Sequence, residues 1–172
     1  ETSNVGEYVI NLDFFDTDNY TAVSNNGTLT VIKKAITITA DAKSKVYGDA
    51  DPELTYQTTG LNSDVLSGGL SREPGENAGT YKISSTLSND NYEITFIDAN
   101  LEITKATLTA IADDKTRNYG DVNPAFTITY DGFKNGDNVS NLGDGQAFAS
   151  VTATETSNVG EYVINLDFFD TD

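Results

Sequence analysis

Acidic side chains recur at short intervals in three places. Asp13, Asp16 and Asp18 lie in DFFDTDN, Asp167, Asp170 and Asp172 repeat them, and Asp49 and Asp51 lie in GDADP. Carboxylates spaced this closely are the raw material of a calcium loop, because Ca²⁺ takes about six to eight oxygen ligands. D-x-D-N supplies only part of such a set, and SNDN (88–91) occupies the corresponding place elsewhere in the chain. A polar turn before a strand is the ordinary reading. Lys33, Lys34 and Lys105 stand near strand ends, where a lysine can form an isopeptide crosslink to Asn or Asp. Their ordinary role is a charge that discourages edge-to-edge pairing. The chain contains no His and no Cys, so a nucleophile has neither of the usual bases or thiols beside it. Paired carboxylates of the kind used on glycosides can be assembled from almost any protein this acidic. No catalytic, cofactor-binding or metal-binding residue is assigned, and the expectation is a protein without catalysis or cofactors.

The charge balance narrows the partners. With 27 acidic and 10 basic residues the formal net charge is −17, which disfavours nucleic acid, whose binding needs Lys and Arg against phosphates. It disfavours an anionic membrane surface for the same reason, and no run approaches the length of apolar residues that spans a bilayer. Without Cys there is no disulfide framework. Nine Tyr, eight Phe and many β-branched residues argue for folded β structure over disorder.

The elements that must position these residues are repeated. ETSNVGEYVINLDFFDTD stands at 1–18 and, letter for letter, at 155–172. A looser repeat lies inside that span: KSKVYGDADPELT (43–55) matches KTRNYGDVNPAFT (115–127), 72 positions on. NAGTYKIS (77–84) matches NVGEYVIN (4–11 and 158–165), and NYEITFIDANLEITKA (91–106) matches NYTAVSNNGTLTVIKKA (19–35). The chain parses into 1–35, the C-terminal part of a B-type repeat; 36–106, a complete A-type repeat; and 107–172, a B-type repeat lacking its last strands. The simplest parent is an A-B-A-B array with a 154-residue period, of which the chain is a window.

Strands are expected at 35–40, 54–59, 80–85, 92–97 and 100–104, and again at 107–112, 125–130, 147–154 and 162–168, from their alternating or β-branched character. Short Gly, Asn, Asp and Pro turns between them predict antiparallel pairing, and Asn26-Gly27 reads as a hairpin turn between TAVS and TLTVI. Residues 62–68 and 135–142 are each long enough for one helical turn. Gly48 and Gly120, in the two YGD motifs, are expected at positive φ. Tyr8, Tyr47, Tyr81, Tyr119 and Tyr162 are expected to cap the cores with ring inward and hydroxyl at the edge. Loop 133–147 differs most between repeats, and a ligand contact is sought there first.

YGD-x-x-P, a G-L or G-F turn (Gly60-Leu61, Gly132-Phe133), G-x-Y-x-I, NY and L-x-I-x-K-A recur in that order, and this pattern resembles the MBG domain, YGX type, of bacterial cell-surface proteins. The resemblance covers the whole chain. It implies tandem β modules of about 70–90 residues on large secreted adhesins, each touching mainly its neighbours, and no catalytic residue. The expected fold is mainly β, in small antiparallel modules that are β-grasp-like or an Ig-like sandwich, arranged end to end. The expected role is a structural stalk or spacer of an extracellular, cell-surface adhesin or filament; a carbohydrate- or protein-binding module is the alternative. The expected partners are neighbouring copies of the same repeat, with residues 19–35 of one completing 107–172 of another by strand complementation.

Overall fold

Alternation of Ile36, Ile38 and Ala40 with threonines buries one face of a strand and leaves the other half-buried, and this pattern organises the first of two units. A computed structural model describes residues 3–13 and 15–168. Unit 1 takes Glu1–Lys45, Asp51–Gly75 and Gly79–Ile103; unit 2 takes Val46–Ala50, Glu76–Ala78 and Thr104–Asp172. The protein is mainly β, as its sequence predicts.

Unit 1 contains β1 (Gly6–Ile10), β2 (Gly27–Val31), β3 (Lys34–Ala40), β4 (Lys43–Val46, which runs to the unit's edge), β5 (Tyr56–Thr59), β6 (Leu70–Arg72), β7 (Gly79–Ser85), β8 (Tyr92–Ile97) and β9 (Ala99–Thr104). These form a three-stranded sheet of order β5-β3-β8, a four-stranded sheet of order β4-β9-β7-β6, and a β1-β2 pair. β3 pairs antiparallel with β5 but parallel with β8, Lys34 opposite Tyr92 through Thr39 opposite Ile97. That parallel pairing departs from the expected antiparallel pattern. It arises because the chain between β3 and β8 passes through the second sheet before returning, which is the long connection a parallel pair requires.

Asp98 alone separates β8 from β9, and the two strands lie in different sheets. The chain crosses from one sheet to the other here instead of forming a hairpin. The core draws on both sheets: Ile36, Ile38 and Tyr92 from one, Ile83, Leu101 and Ile103 from the other, all at most 5% exposed. Leu61, Leu66, Leu87, Ile94 and Phe96 pack around the first group. Among its described residues unit 1 has no helix. Residues 62–68 form bends and an isolated bridge in place of the expected helical turn.

Unit 2 contains β10 (Thr109–Ala112), β11 (Ile128–Asp131), β12 (Ala147–Ser150) and β13 (Asn165–Phe168), with a short 3-10 helix, Val139–Gly145, in its long loop. β10 pairs with β11, Thr109 opposite Asp131 and Ala112 opposite Ile128. Each pairing lies 72 positions beyond its β3–β5 counterpart, so the two repeats share one register. β12 pairs with β13, as β6 pairs with β7. Among the described residues nothing in unit 2 stands where β8 and β9 stand in unit 1. Its core is correspondingly thin: Ala153 is the one hydrophobic residue of unit 2 that is buried among those described.

Candidate functional site: the YGD loops and their anchors

In both repeats a turn carries Tyr-Gly-Asp and ends on a proline. Gly48 and Gly120 have φ of 88° and 89°, the left-handed region that an L side chain occupies only with strain. In unit 2 Tyr47 N–H donates to the Thr104 carbonyl at 2.8 Å, and Asp49 N–H closes the turn onto Val46 O at 3.0 Å. The corresponding Asp121 N–H closes onto Asn118 O at 3.3 Å, and Gly120 N–H donates to Glu155 O at 3.1 Å.

A cation behind each turn fixes the residue that precedes the proline. In unit 1 Lys45 Nζ lies 2.6 Å from the Asp51 carboxylate, with 4% of the lysine side chain exposed. Arg72 grips the same carboxylate from the other side, Nε to Oδ2 at 2.8 Å and Nη2 to Oδ1 at 3.2 Å. Its remaining donors reach the Glu73 carbonyl at 2.9 Å and the Gly75 carbonyl, and its guanidinium sits 5.3 Å from the centre of the Tyr81 ring. Hydrogen bonds from Arg72, then from Lys45, hold the Asp51 carboxyl down at about 2, well below its ordinary 3.8. In unit 2 the chemistry changes and the geometry stays. Arg117 replaces Lys45 and Asn123 replaces Asp51, with Nε to Oδ1 at 2.8 Å. Arg117 also donates to Asn118 O and Thr154 O, and Asn123 Nδ2 to Ala153 O.

A second carboxylate closes the base of each strand pair. Asp41 accepts from Thr55 Oγ1 at 2.5 Å and from Gln57; Asp113, 72 positions on, accepts from Thr127 Oγ1 and from Thr129 Oγ1 at 2.8 Å. The threonine hydrogen bonds lower both carboxyls from their ordinary value, Thr55 acting first on Asp41 and Thr127 on Asp113. Sequence reasoning missed Asp41, Asp113, Lys45, Arg117 and Arg72. The first four are legible as pairs 72 positions apart, but Arg72 has no such counterpart.

The expected candidates divide. Asp51 is held by two cations, and Asp16 accepts from the Ala22 amide at 2.5 Å in a turn bridged by Thr17 and Tyr20. Asp167 accepts from Ser150 Oγ at 3.3 Å; Asp170 and Asp172 lie outside the described residues. Asp13, Asp18 and Asp49 are exposed, and among the described residues no three acidic side chains gather where they could hold a metal ion. Lys34 Nζ reaches Asn62 Oδ1 at 3.1 Å with both residues exposed, which is a solvated hydrogen bond. Lys33 and Lys105 are also exposed.

Tyr8 and Tyr162 are 39% and 42% exposed and donate to carbonyls four residues back, Asn4 O at 2.7 Å and Asn158 O at 2.9 Å. The two eighteen-residue copies thus share this local bond. Tyr47 is half-buried and donates to Asp137 at 2.8 Å, inside unit 2. Tyr81 is half-buried beneath Arg72. Tyr119 does not cap a core among the described residues: it is 64% exposed, whereas its counterpart Tyr47 is held by Thr104 and Asp137. The deepest tyrosine is one the sequence left unmarked, Tyr92, whose hydroxyl donates to Asp64 at 2.5 Å.

Loop 133–147 folds on itself. Asn138 and Asn141 cap the short helix reciprocally, Phe133 tilts onto Tyr130 with 5.9 Å between ring centres, and Asn135 adopts φ 54° beside Gly136. Together with Tyr47, Ala78 and Leu108, also of unit 2, Phe133 and Leu142 line a cavity of about 320 Å³.

These anchors all serve the loop and strand ends of one repeating unit, which is what the comparison with known families returns. The MBG domain (YGX type) family matches residues 36–102 and again residues 108–171. No curated protein and no solved structure matched the chain. The two matches fall on the two repeats that carry the same strand register and the same anchored YGD turn, and the chain belongs to the MBG domain (YGX type) family.

Proposed function

We infer that the chain is a structural, non-catalytic spacer: tandem modules that extend a secreted adhesin or filament from a bacterial cell surface. The observation that carries this reading is where the polar motif residues are committed. Lys45 and Arg72 both bind the Asp51 carboxylate, Asp41 and Asp113 bind threonines of their own strand pair, and Tyr47 binds Asp137. Each bond tightens a turn or a strand end, and the positions of Lys45, Asp51 and Asp41 are reused 72 residues on by Arg117, Asn123 and Asp113. A repeat in which the recurring residues stabilise the module, and the surface is strongly acidic, suits a spacer whose copy number sets its length. High like charge also keeps neighbouring molecules dispersed.

The test is deletion of one period from the parent array in cells. The spacer reading expects surface display, accessible to added protease, and unchanged target recognition at shorter reach. Loss of target recognition on removal of a single period would assign binding to the module itself, and an intracellular array would refute the surface role.

A further inference from the structure

Three prolines stand in this chain, and the residues before them are Asp51, Glu73 and Asn123. Asp51–Pro52 is therefore its one Asp–Pro bond. A side-chain oxygen of aspartate reaches its own carbonyl carbon through a five-membered ring. Before proline the leaving nitrogen belongs to a tertiary amide, which takes up a proton more readily than a secondary one. Together these make Asp–Pro the peptide bond that acid opens first. Glutamate has to close a larger and slower ring, and the asparagine carboxamide is the weaker nucleophile in acid.

The bond lies within unit 1, between β4 and β5, and its carboxylate is held against such an attack. Lys45 Nζ lies 2.6 Å from Oδ1, Arg72 Nη2 donates to the same oxygen at 3.2 Å, and Arg72 Nε donates to Oδ2 at 2.8 Å. Both oxygens are engaged, so turning either toward the Asp51 carbonyl carbon breaks these contacts and draws the carboxylate away from Lys45, whose side chain is 4% exposed. The charged groups that face Asp51 are Lys45 from β4 and Arg72 from β6; Asp49 and Glu53, on its own segment, are exposed. The two cations also keep the carboxyl ionised until about pH 2, which withholds the proton that the departing nitrogen needs. On its open side the carboxylate is 42% exposed, so water reaches it. In the B-type repeat the same turn carries Asn123–Pro124, with Arg117 on the Asn123 side chain at 2.8 Å, and has no carboxyl to react.

We propose that Asp51–Pro52 is an acid-scission site built into the A-type repeat, which Lys45 and Arg72 hold closed while unit 1 is folded. In the first step an Asp51 side-chain oxygen bonds to the Asp51 carbonyl carbon and the bond from that carbon to the Pro52 nitrogen breaks. The carboxyl proton passes to the nitrogen, which leaves as a secondary amine, and a five-membered cyclic anhydride remains on Asp51. Water then adds to the anhydride and restores two carboxyl groups, so one water is consumed for each cut. The cut separates β3 and β4 from the strands they pair with, β3 lying between β5 and β8 and β4 beside β9. Strand pairing therefore keeps the two pieces together until the unit unfolds. A tandem array would carry one such bond in each A-type repeat of this sequence and none in each B-type repeat. The proposal concerns the chemistry of this bond and does not depend on the surface role.

The test is the intact mass of the full chain, read under denaturing conditions after incubation at about pH 4. The folded chain is compared with the chain unfolded in guanidinium and with Arg72→Gln, amide exchange across β4 and β9 reporting whether unit 1 is folded. A carboxyl at about 2 is about 1% protonated at pH 4 and an ordinary one about 40%, so scission in guanidinium is expected to be at least about tenfold faster than in the folded chain. The products expected are residues 1–51 and 52–172, with masses that sum to the chain plus one water. Folded Arg72→Gln is expected to cut severalfold faster than the folded parent, and Asp51→Asn to stay whole in guanidinium. Equal rates in the folded and unfolded parent overturn the proposal, and this comparison decides it even where Arg72→Gln unfolds. Folded Arg72→Gln that cuts at the parent's rate overturns the role of the ion pair. No cut at this bond in guanidinium, or an equal cut in Asp51→Asn, overturns the site itself.

Discussion

Replacing Asp51 by Asn is expected to weaken unit 1 by about 2 kcal/mol at neutral pH, since breaking a fully buried ion pair costs about 3–5 kcal/mol and this one is half open to water. The open side is the carboxylate, 42% exposed, while the Lys45 side chain is 4% exposed and Arg72 11%. The loss therefore comes mostly from stranding Lys45 in a dry site. The carboxyl offers a second measure. Its fall from an ordinary 3.8 to about 2 corresponds to at most about 2.5 kcal/mol, and solvent screening at 42% exposure cuts that to about 1 kcal/mol. Because the folded value is depressed, this share of stability is present above pH 4 and disappears as pH falls from about 4 toward 2. Urea unfolding, read by hydrogen exchange of peptides covering β4 and β9, isolates unit 1. The deficit of the variant should shrink as the parent is titrated through that window. Unit 2 supplies the control: Lys45→Arg combined with Asp51→Asn installs its arrangement, Arg117 on Asn123, and should recover more than half of the loss. A single variant within about 0.5 kcal/mol of the parent, the scatter of ordinary surface changes, at pH 7 refutes the claim that this ion pair pins the YGD loop.

The remaining expectations are briefer. Gly48→Ala and Gly120→Ala each meet the left-handed penalty of about 1–2 kcal/mol, but an added Cβ at Gly48 falls 2.5 Å from Lys134 Cβ while Gly120 is open. Thermal melts should therefore show Gly48→Ala as the more damaging, and equal effects contradict the packing. The Asp64 carboxylate raises the Tyr92 phenol above its ordinary 10. In ultraviolet titration one tyrosine should ionise late, stability should fall as pH rises beyond 10, and Tyr92→Phe should remove the late step; simultaneous ionisation of all tyrosines contradicts this. Ca²⁺ and chelator are expected to give the same melting temperature, because Asp16 and Asp51 already have protein partners; a shift revives a calcium loop. Intact mass should equal that of the unmodified sequence, since Lys34 meets Asn62 in solvent; a deficit of 17 or 18 Da would instead reveal a crosslink.

Strand positions in the A-type repeat were legible because each carries an alternating or β-branched run, as Ile36, Ile38 and Ala40 do. What the runs could not convey was pairing. β8 and β9 follow one another with Asp98 alone between them, yet they serve different sheets, because local alternation says which face is apolar and not which neighbour supplies the hydrogen bonds. Asn26-Gly27 failed in the same way: Gly27 opens β2, whose partner is β1, and Asn26 Nδ2 instead reaches Asn11. β4 and β6 were missed since KSKV and LSR carry too few apolar residues to show a period. Lys45 is buried only because Asp51 and Arg72 meet it from distant segments, a juxtaposition no spacing rule reveals. In the B-type repeat the predicted strands are shortened. AFASVTAT narrows to Ala147–Ser150 and YVINLDF to Asn165–Phe168, because a strand extends only as far as another pairs with it.

Residue-resolved amide exchange by NMR on the dilute chain tests that last point most directly. The account predicts slow exchange for hydrogen-bonded amides in 6–10 and 165–168, and fast exchange in 160–164, although 6–10 and 160–164 are the same residues in the same order. Equal protection of both GEYVI copies would contradict the account.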